Sequence, residues 1–206
     1  MKIALVTPEL HSLVRRTNLA AVAESLALAL RDAGADARVF LPHTVDVDLD
    51  KITGLEPRGS VRVPDPESPG GHVIFELASG QVGGVPVHLF SEPELFGERH
   101  PYGDDQGVYS DNWRRYALFA RAVLESLTNF SFEADLFHCM DWTTGLLPVY
   151  HRLHYVDVGS EKPAARAGTY FAIHNLAMQG AFEREVLPRI DIPHRYFRQI
   201  DGIELG

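Results

Sequence analysis

Two stretches of this sequence end apolar runs on side chains able to do chemistry. They are "TYFAIHNLAMQGAF", which carries His174 and Asn175, and "DLFHCMDWTTGLLP", which carries His138, Asp141 and Trp142. An imidazole can move a proton or bond a hydroxyl, a carboxylate can hold a hydroxyl or an amide, and an indole offers an apolar face to a ring. Each also has a plainer use. A histidine at a strand end is commonly a hydrogen-bonded structural residue, and Asp141-Trp142 reads equally as a helix N-cap followed by a core aromatic. Two separate strand ends carrying histidine weaken that plainer use. "HPYGDDQG", with Tyr102, has the composition of a solvated turn. Arg15-Arg16 precede an expected helix, where they are either surface charge or, with the helix N-terminus, a place for a phosphate.

Other chemistries lack their signatures. The ten histidines show no HxxxH spacing and no His-carboxylate pair on one helix, so no zinc site and no metal is expected. Neither G-x-S-x-G nor, after the first strand, G-x-G-x-x-G occurs, which argues against a nucleophile elbow and a nicotinamide cofactor.

The elements that must position these residues follow from periodicity. "IALV" is a buried first strand, and Leu19, Val22, Ala23, Leu26, Leu30 and Ala33 recur at helical spacing between Asn18, an N-cap candidate, and Gly34, a helix stop. "ARVFLP" is the next strand, completing a parallel βαβ unit. Between Thr44 and Phe90, "SVRV", "HVIFELA" and "VPVHLF" read as a small β-hairpin insertion. A second α/β half follows: a helix through Trp113, Tyr116, Ala117, Ala120, Val123, Leu124 and Leu127, the buried strand "DLFHCM", a helix near Pro148, and another buried strand, "TYFAIH". The fold class is α/β, a Rossmann-like mostly parallel sheet with flanking helices. Ligands of such sheets bind outside the carboxyl ends of the strands, so His174, Asn175, Asp141 and Tyr102 are expected to converge on one side.

The chain has 206 residues, 45% of them hydrophobic, enough for a sizeable core. Nineteen basic against 28 acidic residues leave a net charge of −9, and no basic field for nucleic acid. One cysteine, Cys139, excludes an internal disulfide and fits a reducing, cytoplasmic setting. The apolar run in "MKIALVTPEL" is too short for a signal peptide or a membrane span.

Taken together, "KIALVTPEL", "HPYGDD", "YSDNWRRYALFARA", "DLFHCMDWTTGLLPVY", "IHNLAMQGAF" and "DGIELG" resemble the N-terminal catalytic domain of bacterial glycogen synthases and plant starch synthases, over nearly the whole chain. The resemblance implies the GT-B architecture, and residues 1–206 as the N-terminal domain, incomplete at its C-terminal end and without the second GT-B domain. It implies transfer of glucose from ADP-glucose to an α-1,4-glucan with retention, needing no metal or other cofactor. It also implies roles: His174 as the active-site histidine contacting the donor glucose, with Asn175 beside it; Asp141 and Trp142 as the DW pair at the sugar; and Tyr102 as the tyrosine lining the donor cleft. Arg15 stands at the lysine of the family's Lys-x-Gly-Gly-Leu loop. The chain departs from the pattern at Thr17-Asn18, in place of the two glycines, and at Ala21, Met140 and Thr143. A non-catalytic glucan-binding relative with an altered donor loop is the alternative reading.

Overall fold

The computed structural model describes residues 1–196; the "DGIELG" motif, residues 201–206, lies outside them. Nine strands occur among the described residues: β1 Lys2–Val6, β2 Asp36–Pro42, β3 Thr53–Pro64, β4 His72–Val82, β5 Val85–Ser91, β6 Gly103–Asp104, β7 Gly107–Val108, β8 Leu136–Met140 and β9 Gly168–Ala172. The α-helices are α1 Leu19–Asp32, α2 Asn112–Ser126 and α3 Leu146–His151. The main sheet runs β3-β4-β5-β2-β1-β8-β9, and β6 and β7 form a separate two-residue hairpin.

From β5 to β9 every pairing is parallel; β3 and β4 extend the sheet antiparallel. The segment expected as a β-hairpin insertion forms the antiparallel strands β3, β4 and β5, and it joins the parallel sheet where Val39–Pro42 of β2 register against Val87–Phe90 of β5. Gly83 and Gly84 make the β4–β5 turn, with φ of 56° and 83°. Positive φ at both residues is what a two-residue type I′ hairpin requires.

Alternation along β1 divides the core into two layers. Ile3 and Leu5 pack with α1, while Ala4 and Val6 face α2 and α3. Helix α1 buries Leu19, Ala20, Ala23 and Ala27, with Leu26 and Leu30 partly covered. Val22, expected in its apolar stripe, is instead 39% exposed at the rim of a cavity. The expected stop is present: Gly34 has φ 86° and donates to the Arg31 carbonyl. Asn18 starts the helix without a side-chain cap, and Thr17 Oγ1 accepts from the Leu19 N–H at 3.1 Å instead.

The order in which strands are added to the sheet reverses between the parallel neighbours β1 and β8. From β1 the chain passes through α1 to β2 on one side, and from β8 through α3 to β9 on the other. Such a switch point opens a crevice at the strand carboxyl ends, where a parallel sheet holds its ligand.

Candidate active site

Three strand ends and one loop meet at this crevice. Following β1, Thr7 is buried, and its hydroxyl donates to the Glu9 carbonyl at 3.0 Å and accepts the Glu9 N–H at 3.3 Å, fixing Glu9 in place. The wholly buried Glu9 carboxylate then collects four donors. Its Oε2 accepts the N–H groups of Arg16 at 2.6 Å and Thr17 at 2.8 Å, and its Oε1 accepts the hydroxyls of Thr17 at 2.8 Å and Tyr102 at 2.5 Å. A buried carboxylate is tolerable only when so saturated. Burial first, and the Glu9 charge second, push the Tyr102 phenol far up, so it stays protonated and donates.

These contacts give a physical reason for Thr17. The Thr17 hydroxyl both holds Glu9 and serves the start of α1, which a glycine could not do. Neither Thr17 nor Asn18 has a positive φ, so the backbone here has no need of glycine.

Tyr102 is delivered by α2. Arg115, fully buried on that helix, donates to the carbonyls of Leu95 at 2.6 Å, His100 at 3.0 Å and Pro101 at 3.0 Å, and to Asn112 Oδ1 at 2.6 Å. Asn112 Nδ2 in turn donates to the Tyr102 carbonyl at 2.8 Å. Burial lowers the Arg115 pKa to about 10, and four oxygen acceptors around one guanidinium keep it charged.

At the end of β8, Asp141 has φ 59° and ψ 179°, a conformation that glycine alone adopts freely. The surroundings hold it there. Its N–H donates to the Ala172 carbonyl at 2.9 Å, and its carbonyl accepts from the N–H and the hydroxyl of Thr144, each at 3.0 Å. Its Oδ1 accepts the backbone N–H of His174 at 2.5 Å and of Asn175 at 3.3 Å. Asn175 Oδ1 accepts from the Ala177 N–H at 3.0 Å, which turns the chain after β9.

Trp142 stands between two cavities. Its ring lies 6.1 Å from Tyr102, 5.5 Å from Tyr116 and 6.1 Å from Phe182, centroid to centroid. On one side is a polar cavity of about 510 Å³ whose lining includes Arg16, Thr17, Asn18, Tyr102, Asp141, Trp142, His174 and Asn175. On the other is an apolar one of about 540 Å³, bounded by Trp113, Tyr116, Leu146, Phe171, Ile173, Phe182 and Leu187 among others.

The structure thus brings together His174, Asn175, Asp141, Trp142 and Tyr102. It does not bring Arg15: that side chain is exposed and outside the lining, and its neighbour Arg16 is there instead. His138 also lies outside, with its ring edge-on to Tyr170 at 4.9 Å; burial, then the nearby His174, lower its pKa. Glu9 and Arg115 were not singled out from the sequence. The signal for Glu9 was its place in the turn "TPEL" directly after β1, and for Arg115 a charge on the apolar face of α2. Among the described residues there is no group of three or more His, Cys, Asp or Glu that could hold a metal, and no helix long and apolar enough to cross a membrane.

A polar cavity with an aromatic wall, set at the switch point of a parallel sheet, is an arrangement suited to a sugar and its attached phosphates. The fold matches the catalytic domain of starch synthase IV from Arabidopsis thaliana bound to ADP and acarbose. The TM-score is 0.79 at 24% identity, over 95% of this chain and 38% of that one. The molecule thus has the Rossmann-like fold of the first part of that domain. The family model for the starch synthase catalytic domain matches residues 2–205, and the chain belongs to that family. It is 36% identical over 198 residues to glycogen synthase 2 of Geobacter sulfurreducens, covering 96% of this chain and 40% of the relative. It is 34% identical over 206 residues to glycogen synthase of Myxococcus xanthus, covering 99% and 42%. The chain therefore spans about two fifths of the length of the curated relatives it matches.

Proposed function

We propose that this chain forms the acceptor-side domain of a retaining glucosyltransferase that moves glucose from ADP-glucose to an α-1,4-glucan in the cytoplasm. The observation that carries this reading is the meeting of His174, Asn175, Trp142 and Tyr102 around one polar cavity, in a chain from a family of glycogen and starch synthases. The nucleotide is suggested by the ADP in the starch synthase IV structure.

In this reading His174 is the catalytic residue that touches the donor glucose. Its imidazole makes no hydrogen bond among the described residues and is free to bond sugar hydroxyls. The Asn175 amide adds a second polar contact, and Trp142 and Tyr102 supply faces for the ring. Asp141 acts through its neighbours as a positioning residue, because its Oδ1 is engaged by the two amides that set the His174-Asn175 turn. Held in advance, these groups lose no orientation when charge develops on the leaving diphosphate.

The test is transfer of radiolabelled glucose from ADP-glucose to glycogen by the complete gene product. Incorporation that His174→Ala abolishes supports the reading. A complete, folded product that incorporates no label overturns it.

A further inference from the structure

We propose that Arg16 is a cation that grips the donor's diphosphate, and that Asp46 occupies its guanidinium whenever no phosphate is bound. The proposal rests on the nucleotide-sugar reading given above, and assigns within it a residue and an exchange.

Among the described residues, Arg16 is the one Lys or Arg lining the polar cavity. Its backbone cannot follow a ligand, because its N–H is tied to Glu9 at 2.6 Å. Its side chain can: it is 41% exposed, and the contacts that hold it are ionic and few. The guanidinium presents its fork to Asp46, Nη2 to Oδ1 at 2.6 Å and Nε to Oδ2 at 3.1 Å. Two parallel N–H donors on a pair of anionic oxygens are the geometry by which arginine also takes a phosphate. Asp46 thus stands where a phosphate's oxygens could replace its own.

The second partner of Asp46 makes the exchange feasible. His100 Nδ1 lies 2.9 Å from Asp46 Oδ2 and also against Arg16 Nη2. When Arg16 leaves, His100 Nδ1 is free to donate to Asp46, which is then not stranded, the outcome that makes breaking a partly buried pair costly. Among the described residues no other acid near the cavity is hydrogen-bonded to the Arg16 guanidinium. Glu9 is saturated by four donors, and Asp141 Oδ1 by two backbone amides. Arg15, which stands at the family's lysine position, is exposed outside the cavity and in no ion pair among the described residues.

Isothermal titration of the complete gene product with ADP, and separately with inorganic pyrophosphate, tests this on wild type and four variants. Arg16→Ala should raise both Kd values by at least about tenfold, the scale of a lost charge-assisted bidentate contact. Arg16→Lys should fall between, keeping the charge without the fork. Arg15→Ala should change neither by more than about twofold, as expected of an exposed charge. Asp46→Asn should tighten both by about threefold or more, because the competing anion is gone. That gain of affinity is a result that mere damage to the fold does not produce. Arg16→Ala binding as tightly as wild type, Arg15→Ala showing the larger loss, or Asp46→Asn weakening the complex overturns the assignment while the nucleotide-sugar reading stands. Wild type that binds neither ADP nor ADP-glucose overturns both.

Discussion

The carboxylate of Asp141 reaches across from the end of β8 to accept the backbone N–H of His174 at 2.5 Å, just past the end of β9. Two strand ends that are adjacent in the sheet but 33 residues apart in sequence are thereby joined through one oxygen. Asp141 also holds an unfavourable backbone conformation, which costs on the order of 1–3 kcal/mol and persists only where neighbours over-determine it.

Asp141→Ala removes the acceptor and leaves the conformation just as unfavourable. The turn should loosen by about 1.5–3 kcal/mol, the worth of a hydrogen bond to a charged group. Amide hydrogen exchange at His174 and Asn175 should rise accordingly, with kcat/KM falling and Asp141→Asn intermediate. Unchanged protection of both amides in Asp141→Ala would show that something else sets the turn.

Glu9 organises the opposite wall. Glu9→Gln turns an acceptor-only group into one whose amide must face some of the four donors now pointing at it. Loss of one charged acceptor in a buried site should lower stability by about 3 kcal/mol, read as a shift in urea midpoint. A midpoint within error of wild type would mean that the loop after β1 is held by other contacts.

Gly180 touches Trp142 directly. Its φ is 59°, and a Cβ built there would lie 2.3 Å from Trp142 Cε3 and 2.7 Å from Cδ2. Gly180→Ala should therefore cost about 1–2 kcal/mol in backbone strain, with a similar overpacking penalty unless the indole moves. In residues 1–206 carrying Trp113→Phe, Trp142 is the one tryptophan left, and its emission should shift. Identical emission spectra with and without the extra methyl would rule out the contact.

Much of this site was legible because its residues follow strands of the parallel sheet, although β9, expected to be buried, is instead an exposed edge strand on which Tyr170 and Phe171 are 55% and 40% exposed. The apolar runs before Asp141 and His174 left only one place for the following polar groups, the carboxyl edge of the sheet. The β1–α1 loop was not legible in the same way. Whether Arg15 or Arg16 turns inward depends on the hold of Glu9 on the Arg16 and Thr17 amides, which no local periodicity reports. The Tyr102–Glu9 bond spans 93 residues, and the four acceptors of Arg115 lie on two separate segments. The expected hairpins are present in β3, β4 and β5, but the parallel pairing of β5 with β2 was not legible, because short Gly- and Pro-punctuated strands have the same pattern whether or not β5 finds β2. Long-range pairing decided each of these.

The last prediction concerns acid stability and lies away from the site. His88 is 3% exposed, stacked 4.0 Å from Phe130, with Nδ1 bonded to Ser79 Oγ at 2.9 Å and Nε2 without a partner among the described residues. Burial, then the charges of Arg38 and Arg58, lower its pKa to about 3. In the unfolded chain a histidine titrates near about 6.5, so between these values the unfolded state binds a proton that the folded state refuses. The resulting destabilisation is absent above about pH 6.5 and grows as pH falls toward about 3, reaching about 2 kcal/mol from this group at about pH 5. His88→Phe keeps a ring against Phe130 and removes the proton site. Urea denaturation at pH 7 and pH 5 should show the variant losing about 2 kcal/mol less than wild type between the two. Part of the slope should persist, since burial also lowers the pKa of His43, His138 and His151. Equal losses in the two proteins would show that His88 does not set the acid limit.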